Sequence, residues 1–238
     1  MKVFVRFLIL VSALGIIGII IVGMSLNALV KTGVETMGSK VLGVPVTLKE
    51  VDISLLSGGK DVQVSLNELI IKNPDEYETD YAFSLSNIRV LVDQKSVLTN
   101  TVVIDEIIID GLAITFEGSL LGSNLGDIQG NLKRSTDSES DEEAEEKAEE
   151  HEDGEEHKKH VHIKKVAMKN AKISLRLFSD QKEAILLVLP DFKLQDIGKE
   201  SGVTSFSKAS AKIFDAIYGV VIKAVTKPDK LIPKSFEQ

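Results

Sequence analysis

All four histidines of the chain lie within twelve residues, two in its most acidic segment and two directly after it. They are His151, His157, His160 and His162. Imidazole and carboxylate groups bind divalent cations such as Zn²⁺, so this segment is a weak candidate for a metal site. The spacing matches no structural zinc pattern, and a flexible polyanion does not hold ligands in a fixed geometry. The pattern favours a solvated acidic loop over a metal centre, and we expect no cofactor.

The remaining side chains offer little for catalysis. The chain has no Cys, which excludes a Cys nucleophile, a Cys-ligated metal and a disulfide framework. The segment that precedes the acidic stretch, up to Asp127, contains no His, so a Ser-His-Asp triad would lack a base held in a folded frame. Asp105, Glu106 and Asp110 lie on predicted strands, where surface carboxylates are far commoner than catalytic pairs. We expect no enzyme.

The charge of the chain is concentrated in one segment. Asp137 to Lys159 holds 13 acidic and 3 basic residues, a net charge of −10. Since the whole chain carries −8, the remainder carries only about +2. We therefore predict an acidic, disordered insertion over residues 133–160. A nearly neutral body with an insertion that repels phosphate also excludes nucleic acid as an expected partner.

The N-terminus predicts a membrane anchor over residues 1–30. Phe7 to Val30 spans 24 residues without a charge, and at about 1.5 Å per residue such a helix crosses a hydrocarbon core of about 30 Å. Lys2 and Arg6 precede it, which places the N-terminus in the cytoplasm and the body on the other side. A cleaved signal peptide is the alternative, although its apolar region is usually only about 7–15 residues. A buried soluble helix is a further one.

Residue periodicity predicts a β-rich body over residues 44–200. A juxtamembrane helix over 31–43 is expected to end at Gly43 and Pro45. Alternating apolar residues then predict strands on both sides of the acidic segment, with a one-residue phase slip at Asn87 that indicates a bulge. The segments with this alternation are Val51–Leu55, Val62–Leu66, Phe83–Val92, Val102–Phe116, Val161–Ile163, Ile173–Leu177 and Ala184–Leu194.

Two of these segments share a pattern. Val103–Phe116 and Val161–Leu175 each consist of an apolar strand, a short polar break and a second strand. This weak internal repeat indicates that the acidic segment is an insertion within one sheet and does not separate two domains.

The C-terminal part returns to helical spacing, which predicts an amphipathic helix over residues 203–227. The expected stripe comprises Phe206, Ala209, Ile213, Ile217, Val220, Val221 and Ala224. Packing on the sheet is one interpretation of this helix; lying on a membrane surface or capping a lipid-lined groove is the other. The predicted fold is mainly β with flanking helices. It comprises an N-terminal transmembrane helix, a curved antiparallel sheet of the β-groove type and the C-terminal helix.

Three segments carry a family resemblance: VLGVPVTLKEVDISLLSGG, LIIKNPDEY, and FSLSNIRVLVDQKSVLTNTVVIDEIIIDGLAITFEGSLLGSNLGDI. In this order they resemble the N-terminal region of AsmA-like proteins. Leu42-Gly43, Asn73-Pro74, Ser96, Gly111 and Ser123-Asn124-Leu125 fall at the matching places. The resemblance covers Met1 to Ile128, about half of the chain.

The resemblance implies a periplasmic β-rich body on an inner-membrane anchor in a Gram-negative envelope. Members of the family are linked to phospholipid movement and to assembly of the outer membrane, and the larger ones hold acyl chains on a concave apolar sheet face. This chain is shorter. Roughly eight to ten strands at about 4.8 Å each give a groove of about 40–50 Å, too short to cross the periplasm alone. A partial module or accessory subunit is therefore expected.

An acyl chain requires a dry groove lined with apolar side chains and without reactive groups. The predicted lining residues are Ile53, Leu55, Val64, Ile173, Leu175 and Leu177. The expected partners are membrane lipids and envelope proteins. The alternative function is a non-enzymatic structural or assembly factor that acts through β-strand or helix contacts.

Overall fold

The structure is a computed structural model that describes residues 26–56, 60–119, 121–146, 160–177, 184–198 and 204–226. Most of the predicted transmembrane anchor, with His151 and His157, lies outside these ranges. Among the described residues, no helix combines the length and the apolar character needed to span a membrane.

The described residues form nine strands and three α-helices, so the prediction of a mainly β fold with flanking helices is confirmed. The strands are β1 (Val46–Leu55), β2 (Asp61–Lys72), β3 (Tyr81–Asp93), β4 (Thr101–Ser119), β5 (Gly122–Ser123), β6 (His160–Lys169), β7 (Lys172–Arg176), β8 (Ile185–Val188) and β9 (Phe192–Ile197). The helices are α1 (26–42), α2 (Asn124–Glu146) and α3 (Phe206–Thr226), and a short 3₁₀ turn, Ser96–Leu98, joins β3 to β4.

The long strand β4 organises the sheet. Strands β1 to β4 pair in sequence as an antiparallel meander. The other edge of β4 pairs with β6 and then with β7, both in parallel, and β9 and β8 continue the sheet antiparallel. The prediction of an antiparallel sheet was wrong at this junction. The connection through α2 and the acidic segment brings the chain back to run in the same direction, as parallel pairing requires.

The two halves of the predicted repeat lie side by side. The register between β4 and the β6–β7 segment keeps one offset from Thr101↔His160 to Glu117↔Arg176. The acidic break of β4 therefore meets the basic break of β6. Asp105 pairs with Lys164 and Glu106 with Lys165, each at 2.5 Å. The hydrogen bond from Lys164 to Asp105 also raises the pKa of the lysine.

A kink crosses the sheet at one level. Glu68, Gly111 and Asn170 have positive φ angles of 53°, 70° and 54°, and Gly111 and Asn170 hold equivalent places in the repeat. Within a strand, buried positions normally recur every two residues, but across this level they are three residues apart in β1 to β4. The pairs are Leu48 and Val51, Leu66 and Leu69, Leu85 and Ile88, and Ile109 and Leu112. The slip predicted at Asn87 is thus one part of a kink shared by neighbouring strands, and the buried face stays continuous across it.

Helix α2 covers the sheet beyond the kink, and α3 extends from β6 and β9 to the same region. Phe214 of α3 meets Phe83 of β3 edge-on, with ring centroids 5.7 Å apart. Leu125, Ile128 and Leu132 of α2 are buried. These helices close the face formed by Val46–Leu48, Leu69–Lys72, Tyr81–Leu85, Leu112–Ser119, β7 and β8, which we call the packed half. The remainder, formed by Glu50–Leu55, Asp61–Asn67, Asn87–Asp93, Thr101–Asp110, β6 and β9, is the open half.

The prediction of disorder from residue 133 onward was wrong for the first part of the acidic segment. Helix α2 continues through it to Glu146. The Ser123 hydroxyl accepts from the N–H of Gly126 and caps the helix, whose first turns are anchored in the core. Ser, Thr and Asp in residues 135–141 are weaker helix formers, and the Glu-rich run over residues 142–146 again favours the helix. Residues 147–159 lie outside the described ranges.

Helix α1 lies along the outer edge of β1 and runs antiparallel to it. The N–H groups of Val46 and Leu48 donate to Ser39 Oγ and Glu35 Oε1, both at 2.8 Å. Lys31 Nζ donates to the carbonyl of Lys49 at 3.1 Å. Polar side chains of the helix thus satisfy backbone groups of the edge strand, which would otherwise be open to pairing.

Candidate functional site

Three rows of apolar side chains cross the open half. Register places one residue from each of β1, β2, β3, β4, β6 and β9 in every row. The first row is Val51, Leu66, Ile88, Ile109, Met168 and Phe192; the second is Ile53, Val64, Val90, Ile107, Val166 and Leu194; the third is Leu55, Val62, Val92, Ile104, Ile163 and Ile197. We call this surface the apolar face. All of its members are hydrocarbon or thioether side chains.

The opposite face of β1 to β3 is mainly polar. Because side chains alternate along a strand, the residues between the apolar positions point away from the apolar face. Most carry polar groups: Asp52, Ser54, Gln63, Ser65, Asn67, Asn87 and Arg89. Asn87 Nδ2 donates to Asn67 Oδ1 at 2.8 Å, and Asn67 Nδ2 donates to Asp52 Oδ2 at 3.2 Å. The two faces of this part of the sheet therefore differ sharply in chemistry.

The apolar face is closed at one corner and accessible at the other. In the third row, the β6 and β9 residues Ile163 and Ile197 are only 3% and 5% exposed, whereas Leu55 of β1 is 68% exposed. Helix α3 packs against β6 and β9 and covers that corner. Between the two ends, Val62 and Val92 are half-buried. In the third row the cover thus decreases from β9 towards β1, whereas the first row is buried from Val51 to Met168.

The structure separates the six predicted lining residues into two groups. Ile53 and Val64 are register partners in the second row, and Leu55 ends the third. Ile173 and Leu175 are 0% and 1% exposed and belong to the core of the packed half, so they are not open to a ligand as expected. Helices α2 and α3 close that part of the sheet, which strand periodicity alone does not reveal. Leu177, just after β7, is half-buried against the core.

Sequence reasoning missed Val62, Val90 and Val92 as members of the accessible surface. Their alternation with polar neighbours was visible in the sequence. Only the register, however, shows that they share rows with Ile53, Val64 and Leu55.

A second feature lies in the packed half, where buried polar side chains hold α2 to the sheet. Asn124 Nδ2 donates to Asn73 Oδ1 at 2.8 Å and to the carbonyl of Thr115 at 2.7 Å. Its Oδ1 accepts from the N–H groups of Glu117 and Leu125 at 3.0 and 2.8 Å. Both N–H donors and the acceptor oxygen of the amide thus form hydrogen bonds, so this side chain links α2 to the sheet and has a structural role.

Glu117 and Tyr77 extend this cluster and hold fixed protonation states. Burial alone would raise the pKa of Glu117, but donation from the Thr79 hydroxyl and from the N–H groups of Glu78 and Thr79 outweighs it. The pKa of Glu117 therefore lies below its ordinary value. Burial and a hydrogen bond to Asp127 raise the pKa of Tyr77. Glu117 is thus ionised and Tyr77 neutral near neutral pH, as suits a structural network.

A shallow groove of about 530 Å³ lies on the other side of the packed half. Its lining mixes Thr115, Ser174, Lys172 and Arg176 with the exposed Leu186. Of the two cationic side chains in this lining, Arg176 already has a carboxylate nearby, because Glu78 lies 4.0 Å from it. The lining shows neither the apolar continuity of the apolar face nor a convergent set of polar groups.

The described histidines form no metal centre. His160 and His162 lie on β6, and His162 Nε2 is 3.9 Å from Asp196 Oδ1, too far for a hydrogen bond. Among the residues that the structure describes, no three His, Cys, Asp or Glu side chains are grouped as metal ligands.

Comparison with protein-family models, with curated proteins and with solved structures gives no match. The chemistry and accessibility of the apolar face are therefore the basis for a functional assignment.

Proposed function

We propose that this protein is an inner-membrane-anchored, AsmA-like periplasmic protein whose apolar face binds phospholipid acyl chains and assists lipid transfer in outer-membrane biogenesis or maintenance. The observation that supports this proposal most directly is the contrast within one row. Leu55 is 68% exposed, although the row it belongs to is apolar throughout and buried at its other end.

The energetics favour a lipid occupant. Each methylene transferred from water to an apolar surface contributes about 0.8 kcal/mol, so an acyl chain laid along the half-buried rows gains several kcal/mol. The surface offers no charged or nucleophilic group among its eighteen members that would react with a lipid. A surface without such groups can bind an acyl chain reversibly.

The dimensions support an accessory role. Six strands spaced by about 4.8 Å give the apolar face a width of roughly 25 Å, comparable to one acyl chain. A surface of this size accommodates one lipid at a time and does not bridge two membranes. The uncharged stretch Phe7–Val30 supplies the expected anchor, and α1 connects it to the sheet.

Lipid retention tests the proposal. The full chain, extracted from membranes in mild detergent, is analysed for bound phospholipid by native mass spectrometry, together with Val64→Asp and the adjacent control Ser65→Asp on the polar face. We expect wild type and Ser65→Asp to retain phospholipid and Val64→Asp to lose most of it. Equal retention by all three folded proteins would contradict lipid binding at the apolar face.

One observation favours the second candidate, an assembly factor that binds a partner strand. Side chains of α1 engage β1 at Val46, Leu48 and Lys49, whereas Glu50–Leu55 has no strand on its outer side within the described residues. An edge of this kind accepts strand addition. Protein crosslinks from Asp52, combined with no lipid loss in Val64→Asp, would favour this function over lipid binding.

A further inference from the structure

The geometry points to a membrane-contact site at the end of the sheet that carries Leu55, Val97 and Leu98. We infer that this end, the membrane end, rests among the lipid headgroups, so that the apolar face opens directly onto the bilayer. The membrane contact itself does not depend on the proposed function. Its consequence, the entry of a lipid onto the apolar face, rests on the proposed function.

Exposed apolar residues gather at the membrane end from separate connections. Leu98, in the turn between β3 and β4, is 92% exposed, and Val97 beside it is also exposed. Leu55 ends β1, and the N–H of Gln94 donates to the carbonyl of Lys60 at 3.1 Å, which joins the two connections. A single exposed leucine in a turn, such as Leu121 at the opposite end, needs no partner. Three exposed apolar side chains at one end of the sheet indicate a partner that is not water.

The described part of α1 runs towards the same end of the sheet. Contacts from Ser39 to Val46, from Glu35 to Leu48 and from Lys31 to Lys49 show that, followed towards its N-terminus, α1 runs towards the membrane end. The first described turn of α1 exposes Leu26 and Leu29, which close the uncharged stretch.

Distances along the two elements agree with this placement. From Lys49 to Leu55, β1 advances about 20 Å. From Lys31 to Leu26, α1 advances only about 8 Å. The membrane end therefore lies on the side of the sheet towards which α1 runs, about 12 Å beyond Leu26.

The membrane end carries charges of both signs. Lys60 and Lys95 are exposed in the two connections that meet there, and the half-buried Asp61 and Asp93 lie beside them as register partners. The lysines are the more exposed of these four residues and are placed to meet lipid phosphates. Apolar side chains that enter the interface, flanked by lysines, form the pattern of a peripheral membrane contact. The membrane end therefore contacts a bilayer surface. A contact with a protein partner is the alternative that the following experiment distinguishes.

Tryptophan fluorescence tests the contact, because the chain contains no Trp of its own. Leu98→Trp reports on the membrane end. Leu121→Trp is the control, since Leu121 is 102% exposed in the turn that joins β4 to β5 at the opposite end of the sheet. Each full-length variant is reconstituted into vesicles of phosphatidylethanolamine and phosphatidylglycerol, with and without brominated acyl chains.

We expect blue-shifted emission from Leu98→Trp and quenching by brominated lipid at least threefold stronger than for Leu121→Trp. Equal and weak quenching at both positions would overturn the inference, as would a blue shift at Leu98 without bromine quenching, which indicates burial against protein. The outcome is separate from that of lipid retention. Strong quenching with equal retention by wild type and Val64→Asp leaves the membrane contact standing and removes the proposed function.

Discussion

The side-chain amide of Asn124 donates a 2.8 Å hydrogen bond to Oδ1 of Asn73, across 51 residues of chain. This contact fastens the start of α2 to the end of β2. The two residues belong to the segments NP and SNL, which carry part of the resemblance to AsmA-like proteins. The structure gives these motifs a physical role, because they fix the helix that closes the packed half.

Replacement of Asn124 tests how much this link between α2 and the sheet contributes to stability. Asn124→Ala leaves Asn73 and the carbonyl of Thr115 without their donor in a buried site, so we expect a loss of about 2–4 kcal/mol in the free energy of unfolding. Urea denaturation followed by circular dichroism measures it. Asn100→Ala, at an exposed position, is the control. A loss no larger than that of the control would contradict the assigned role.

The kink makes a separate prediction. Gly111 has a φ of 70°, and a Cβ there would have space, with Ser86 Oγ at 3.5 Å. The cost of Gly111→Ala is therefore the left-handed backbone alone, about 1–2 kcal/mol. Gly122→Ala has open space and no positive φ, so it should change stability little. Equal unfolding midpoints for the two variants would show that the kink is not a backbone constraint.

Glu117 makes the stability depend on pH. Its folded-state pKa lies below the ordinary value, so its ionised form stabilises the fold above that ordinary value, and the stabilisation disappears as the pH falls through the folded-state pKa. Glu117→Gln should therefore destabilise the protein more at pH 7 than at about pH 3. Denaturation at both values measures the difference. A destabilisation that is independent of pH would contradict the pKa assignment.

The distinction between core and accessible apolar residues can be measured directly. Leu175→Ala removes a fully buried side chain and should cost about 2–5 kcal/mol. Leu55→Ala truncates an exposed leucine and should change the free energy of unfolding by less than about 0.5 kcal/mol. Thermal or urea unfolding of the two variants is sufficient. A similar cost at both positions would mean that Leu55 is core and that the apolar face is closed.

Strand positions and the C-terminal helix followed from periodicity, because alternation and helical spacing are local properties of the sequence. The parallel pairing of β4 with β6 did not, since it depends on where the connection returns to the sheet. The weak repeat between Val103–Phe116 and Val161–Leu175 indicated that both segments belong to one sheet, but not that they pair in one register. Opposed charges, such as Asp105 with Lys164, favour this register in addition to the apolar pairs along it.

The candidate site was only partly predictable for the same reason. Ile53, Leu55 and Val64 were found because they alternate with polar residues. Ile173 and Leu175 alternate equally well, yet α2 and α3 bury them. Which part of a long apolar sheet face a helix covers is decided by tertiary packing, which a strand pattern does not contain.

Photocrosslinking in native membranes tests the central claim most directly. A photoreactive amino acid is placed at Val64, in the second row of the apolar face, or one residue later at Ser65 on the polar face. We predict that phospholipid is captured from position 64 and not from position 65. Capture of lipid at equal levels from both positions, or from neither, would contradict the claim that the apolar face of this sheet binds acyl chains.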